Sequence, residues 1–203
     1  MIITVNNNPI RIIGYPESSM TQEFVNEIEQ THAVEVMLPK DFLNNQSIDY
    51  QYIVAVSVDF DERRKIIDII DTKNLDLITV IHNTSIIGLN PPAQVMPGTF
   101  IFPFCNVMIG SYVGRHCIIC PYTSIGHYCY LGNSCITRPG VIVSGKSTVG
   151  NHCLLGVRST VTNAVSIADN VEILGFTNVV KNIDSAGRYG GSATRKIPVL
   201  NYN

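Results

Sequence analysis

The chain has 203 residues and a formal net charge of −2, from 14 Lys and Arg against 16 Asp and Glu. With 45% apolar and only 15% charged residues, it is too hydrophobic and too nearly neutral for a disordered chain. It also lacks the basic excess that nucleic acid or an anionic membrane would call for. No apolar run is long enough to span a bilayer, and the opening residues lack the basic and apolar regions of a secretion signal, so the expected compartment is the cytoplasm.

Residues 1–85 alternate short apolar runs with helical patterns. Ile10 to Gly14 reads as a strand. Ser18 or Ser19 can cap a helix whose apolar face is Met20, Phe24, Val25 and Ile28. Ala33 to Leu38 and Tyr52 to Val58 read as further strands. Asp59 or Asp61 can cap a second helix, with Ile66, Ile67, Ile69 and Ile70 on its buried side, and Leu77 to Ile81 reads as a fourth strand. Such alternation predicts a small parallel α/β sheet.

The remainder follows a different period. Every sixth residue from Leu89 through Val179 is Leu, Ile or Val, with Thr137 as the one exception. Four residues after each aliphatic stands a small residue, among them Thr99, Cys105, Ser111, Cys117 and Thr123. Glycine often follows the aliphatic directly, at 114, 126, 132, 150 and 156. Neither a helix nor an isolated strand has a period of six. A solenoid with three flat sides does, each side burying one branched and one small residue and then turning a corner. Residues 86–183 are therefore assigned to such a solenoid and 184–203 to a C-terminal tail.

Five of the six cysteines, 105, 117, 129, 135 and 153, fall in the small interior position and read as buried fillers. Cys120 stands elsewhere in its hexad, so Cys117 and Cys120 are not read as a redox or metal pair.

The hexad pattern resembles the left-handed β-helix of bacterial hexapeptide acyltransferases. The whole chain is similar to the subgroup typified by PglD and NeuD, sugar acetyltransferases that use acetyl-CoA. The likeness runs through Val80-Ile81-His82-Asn83, Gly145 to Gly156, Ser166-Ile167-Ala168-Asp169, Val179-Val180-Lys181-Asn182 and Ser192-Ala193-Thr194-Arg195-Lys196. It implies an α/β Rossmann-like acceptor-binding domain over 1–85 and an all-β left-handed parallel β-helix after it. It also implies a homotrimer, with acetyl-CoA lying between neighbouring helices, and no metal.

Transfer of an acyl group from a thioester to an amine needs a base for the amine proton and N–H donors for the oxyanion. By the resemblance, His127 in Ser124-Ile125-Gly126-His127-Tyr128-Cys129 is the base. One coil on stands Gly145, whose missing side chain leaves room for the pantetheine arm. Gly145, Val157 and Gly175 match acetyl-CoA contacts. Lys146, Arg158, Lys181, Arg188 and Arg195 are candidates for the CoA phosphates.

The departures are specific. Tyr128 replaces the carboxylate that follows the family's base, Ile136 replaces a second histidine, and Cys120 replaces an asparagine near the acceptor. Of the Gly-rich loop after the first strand only Gly14 remains, in Gly14-Tyr15-Pro16-Glu17-Ser18-Ser19. Ser18 and Ser19 can still donate from a helix N-terminus, and Gly14, Ser18 and Ser19 are the candidate acceptor contacts.

The sequence thus points to an acetyl-CoA-dependent N-acetyltransferase acting on a nucleotide-linked amino sugar in glycan or surface-polysaccharide assembly. Sugar or sialic acid O-acetylation stays open, as does a trimeric scaffold that keeps only CoA or sugar binding. A zinc hydratase on the same β-helix fits poorly. His116 and His152 are two coils apart, roughly 10 Å, too far to share a zinc with bonds of about 2 Å, and the expected third histidine falls at Val157.

Overall fold

The computed structural model describes residues 2–3, 8–191 and 195–196, with side chains over 8–191. These residues divide into two compact units. One runs to Ile81 and takes in Pro97–Thr99; the other comprises His82–Met96 and the chain from Phe100 onward.

The first unit contains β1 (Ile2–Ile3), β2 (Ile10–Ile13), α1 (Ser19–Ile28), β3 (Val34–Met37), α2 (Pro39–Asn44), β4 (Gln51–Val54), α3 (Phe60–Thr72) and β5 (Thr79–Ile81). Only three of these strands form the parallel sheet, in the order β3-β2-β4. The expected α/β Rossmann-like domain is therefore corrected. What forms is a three-stranded sheet with three short helices, and no substantial Rossmann-like domain. The stretch read as a fourth parallel strand explains the difference. Leu77 makes a single bridge to Tyr52, and Thr79–Ile81 then pairs antiparallel with β1.

Local chemistry accounts for the helices. Asp59 caps α3 by accepting from the Glu62 N–H at 2.8 Å, and Asp61 and Glu62 complement the positive end of the helix. Pro39 opens α2, where its fixed φ suits the first turn and its missing N–H is not needed. The core holds Ile13, Phe42, Tyr52, Val54, Ile66 and Ile70. Phe42 meets Tyr52 edge-on at 5.4 Å, and the buried Tyr52 hydroxyl donates to the Ser47 carbonyl at 2.7 Å. Burying one such aromatic contributes about 3 kcal/mol. Arg63 is also buried, and its Nη1 donates to the Val54 and Val56 carbonyls at 2.8 Å each.

The second unit is a parallel β-helix, as the hexads require, and it is left-handed, as the resemblance implies. Its two-residue strands stack in register eighteen residues apart: Gln94 on Tyr112 on Tyr130 on Thr148 on Ser166 on one side, and Asn106 on Ser124 on Ile142 on Thr160 on Asn178 on another. The third side includes Phe100–Ile101, Ile118–Ile119, Ile136–Thr137 and Leu154–Leu155.

The predicted aliphatics from Ile101 to Val179 point inward and are buried. Leu89 does not; it is 83% exposed. Ile87, not Leu89, sits beside Val107, because the Asn90-Pro91-Pro92 segment makes that coil longer. Thr137 is buried without becoming an orphan: its hydroxyl meets Thr123 Oγ1 at 3.0 Å and accepts from the Cys120 N–H at 3.2 Å.

The small interior residues do more than fill space. Cys117, Cys135 and Cys153 donate from Sγ to the carbonyls of Gly132, Gly150 and Ala168 at 3.0–3.2 Å. Ser111 and Ser147 donate likewise to Gly126 and Thr162. Each ties a coil to the corner of the next. At the corners, Phe104, His116, Tyr122, Tyr128, Ser134 and Lys146 all carry positive φ, so most turns place a non-glycine residue in the left-handed region, while Gly98, Gly110 and Gly140 fill the same position in others. The glycine after the aliphatic has a different cause: a Cβ on Gly126 would lie 2.6 Å from the Gly145 nitrogen.

Candidate active site

His127 stands at the corner that follows Ser124–Ile125, and Gly145 occupies the same place one coil later. The two are in direct apposition. A Cβ added to Gly145 would lie 2.5 Å from His127 Nε2 and 2.6 Å from Cε1. The imidazole therefore rests on the face of a residue that has no side chain. The ring is half-buried, and no hydrogen bond from the described residues reaches either of its nitrogens. The backbone holds the corner, since the Lys146 N–H donates to the His127 carbonyl at 2.8 Å. An imidazole so placed is available to exchange a proton with a ligand.

Tyr128 is the ring's neighbour, with centroids 5.7 Å apart and planes at 82°. It is 52% exposed and seats its own ring on Gly110, where an added Cβ would come within 2.5 Å of Cδ1. His127 thus has an aromatic ring beside it where the family resemblance implies a carboxylate. Ile136 and Cys120, which stand where polar helpers are expected, are both buried.

Val157 and Gly175 are also stacked one coil apart. A Cβ on Gly175 would lie 2.9 Å from Val157 Cγ1. This pair follows Leu154–Leu155 and Val171–Ile173, so it lies on a different corner from His127 and Gly145. Among the candidate cations, Lys146, Arg158 and Lys181 are exposed, whereas Arg188 pairs with Glu172 at 3.3 Å. The side chain of Arg195 and residues 192–194 lie outside the described residues.

Two of the interior thiols, Cys105 and Cys129, are poor nucleophiles. Burial pushes Cys105 up to about 11 and raises Cys129 as well. No group of three His, Cys, Asp or Glu side chains among the described residues is placed to hold a metal ion.

Of the three candidate acceptor contacts, Ser18 lines a cleft in the first unit, whereas Gly14 is buried outside its lining and Ser19 opens α1 as an exposed residue. Gly14 ends β2 against Thr21 and Ala55. Ser18 is the N-cap of α1, yet its hydroxyl makes no capping bond. The cleft beside it is lined by Tyr15, Glu17, Ser18, Thr21, Ser57 and Asp59 among others, and measures about 270 Å³. The Tyr15 hydroxyl donates to the Glu62 carboxylate at 3.0 Å, which pushes the phenol's pKa up. Sequence reasoning missed Thr21. It is buried, and its Oγ1 has no hydrogen-bond partner. Only its helical phase beside Phe24 and Ile28 could have placed it inside.

The three-sided coil and the small sheet unit before it define a fold that other proteins share. No family model matches the chain. Solved structures share its fold nearly end to end. One is a variant of perosamine N-acetyltransferase from Caulobacter crescentus in complex with CoA and GDP-perosamine, 17% identical, covering 95% of this chain and 98% of that one at a TM-score of 0.81. Another is the acetyltransferase domain of PglB from Neisseria gonorrhoeae with acetyl coenzyme A, 18% identical, covering 95% and 100% at 0.83. A third is WeeI from Acinetobacter baumannii, 14% identical, covering 93% and 99% at 0.77. At these identities the likeness establishes a common fold. No helix among the described residues is long and apolar enough to cross a membrane.

Proposed function

We propose that this protein is an acetyl-CoA-dependent N-acetyltransferase whose acceptor is the amino group of a sugar, carried on a nucleotide and destined for glycan or surface polysaccharide. The observation that carries the reading is the unbonded imidazole of His127 lying against Gly145. It supplies a base beside an open lane on a fold shared with proteins whose structures contain CoA and a nucleotide sugar. The cytoplasm is the compartment that holds both of those substrates.

In this reading the acceptor amine attacks the thioester carbonyl while His127 takes the amine proton. The C–S bond then breaks, CoA leaves as the thiolate, and the proton passes from the imidazole to that sulfur. Backbone N–H groups of the coil hold the oxyanion. Gly145, Val157 and Gly175 line the path of acetyl-CoA. Because His127–Gly145 and Val157–Gly175 occupy different corners, a ligand touching both lies between two copies, which supports a homotrimer. Residues 1–85 hold the acceptor through Gly14, Ser18 and Ser19, and 86–183 carry out the transfer.

A second reading is a scaffold that binds CoA without transfer. The aromatic neighbour at 128 and the buried Ile136 and Cys120 favour it. CoA release from acetyl-CoA, measured against amino-sugar and hydroxy-sugar nucleotides with His127→Ala beside the native chain, separates the two. Turnover that is lost in the variant supports the transferase. Acetyl-CoA binding without turnover supports the scaffold, and absence of acetyl-CoA binding overturns both.

A further inference from the structure

We infer that the cleft at the carboxyl ends of β2 and β4 accepts an uncharged, hydroxyl-rich ring and turns a diphosphate away. The inference rests on the acceptor-binding role proposed for this unit and narrows the part of the acceptor that it can hold.

The lining sets the preference. Two carboxylates, Glu17 and Asp59, face the cleft, and no Lys, Arg or His stands among its described lining residues. Tyr15, also in the lining, brings Glu62 to the rim through its hydroxyl. Arg63 bonds to the Val56 carbonyl behind the wall, but it is only 2% exposed and donates to two backbone oxygens from one nitrogen. The positive end of α1 would ordinarily attract an anion. Here Glu17 stands immediately before the N-cap and supplies that charge from the chain itself. A diphosphate would bring more negative charge beside these carboxylates, and it offers acceptors only, with no donors for them.

Thr21 shows that the cleft lacks one partner. Its side chain is buried to 1% exposure, and its Oγ1 has no hydrogen bond. Thr21 lines the cleft, and its hydroxyl lies behind that surface, against Gly14 with Ala55 beside it. A buried hydroxyl left unpaired is destabilising, and a ligand hydroxyl would complete it. A sugar ring has the required mixture: donors for Glu17 and Asp59, acceptors for the N–H groups that open α1, and either for Thr21. At about 270 Å³, the cleft falls just below the range of drug-sized sites, about 300–1,000 Å³, and suits one such ring.

The test is saturation-transfer NMR on the full chain with matched probes: uridine against UDP, and glucose against glucose 1-phosphate. Each neutral probe is expected to bind about tenfold or more tightly than its phosphorylated partner. Glu17→Gln is expected to narrow that gap. Thr21→Val, nearly isosteric, is expected to raise Tm while weakening the neutral probes, a combination that a merely structural threonine would not produce. UDP binding as well as uridine, or no binding of either neutral probe, overturns the inference. Acetyl-CoA is titrated in the same preparation. Its failure to bind would count against the transferase reading and leave the preference of the cleft standing.

Discussion

Alanine at position 145 puts the candidate base to a direct test. The added Cβ would lie 2.5, 2.6 and 2.9 Å from Nε2, Cε1 and Cδ2 of His127. Carbon atoms rest comfortably at about 3.5–4.0 Å, so the ring must withdraw by about 1 Å. The backbone at Gly145 does not adopt the left-handed conformation, so alanine is permitted there. Less freedom in the unfolded chain offsets part of the crowding, by about 0.4–1 kcal/mol. The perturbation therefore falls on the position of the imidazole more than on the fold. A reacting group displaced by about 1 Å can lose about a hundredfold in rate, or about 2.7 kcal/mol in the barrier. The assay is CoA release by Gly145→Ala under saturating acetyl-CoA, together with Tm and the ¹⁵N shifts of the His127 ring. The expected result is a rate about a hundredfold lower, Tm within a few degrees of the native chain, and displaced ring shifts. An undiminished rate with the ring visibly moved would refute the assignment of His127 as base.

Other outcomes follow from the interior and the corners. Thr137→Val leaves the buried Thr123 hydroxyl without its partner and should destabilise by about 1–3 kcal/mol; adding Thr123→Val should recover most of that loss in denaturant melts. Ala164 has φ 58° on an exposed corner. The left-handed conformation costs alanine about 1–2 kcal/mol, against about 0.4–1 kcal/mol of extra unfolded freedom for glycine, so Ala164→Gly should raise stability by about 0.5–1 kcal/mol. Burial raises the Cys105 thiol from its ordinary value of 9.0 to about 11. A group whose folded pKa is raised stabilises fully below the unfolded pKa and ceases to as pH climbs through the folded one. Tm should therefore fall between pH 9 and 11, with a shallower slope in Cys105→Ala.

The solenoid is legible in the sequence because each side must bury one branched residue, and a period of six follows from that alone. Its chemistry is less legible. Cys135 and Ser147 read as fillers, but their role as donors depends on a carbonyl fifteen residues away that only the closed coil brings near. The left-handed corners are hidden because Tyr122, Tyr128 and Lys146 occupy them where a turn would advertise glycine. Leu89 falls in phase by coincidence, two residues past the register position that Ile87 actually keeps. The Leu77–Ile81 run is strand-like in composition, but an apolar run does not name its partner: only Leu77 bridges the parallel sheet, and Thr79–Ile81 turns to an antiparallel pairing with β1. At the candidate site the pairing of His127 with Gly145 follows from coil arithmetic. The contact of Tyr128 with Gly110, and the unpaired hydroxyl of Thr21, need coordinates.

The interior position that accepts serine, threonine, cysteine or valine has a consequence for how such chains diverge. The coil asks of that position only small volume, with a donor where a corner carbonyl is in reach. It asks of the neighbouring position only a branched aliphatic. Outward-facing residues away from the left-handed corners and the close-contact glycines are barely constrained by the backbone, so substitutions accumulate there without altering the register. Lineages can then lose almost all recognisable identity while the coil stays superimposable. Sequence likeness is therefore a poor clock for this architecture, and a corner residue that neither its φ nor its packing demands is the more informative trace of function.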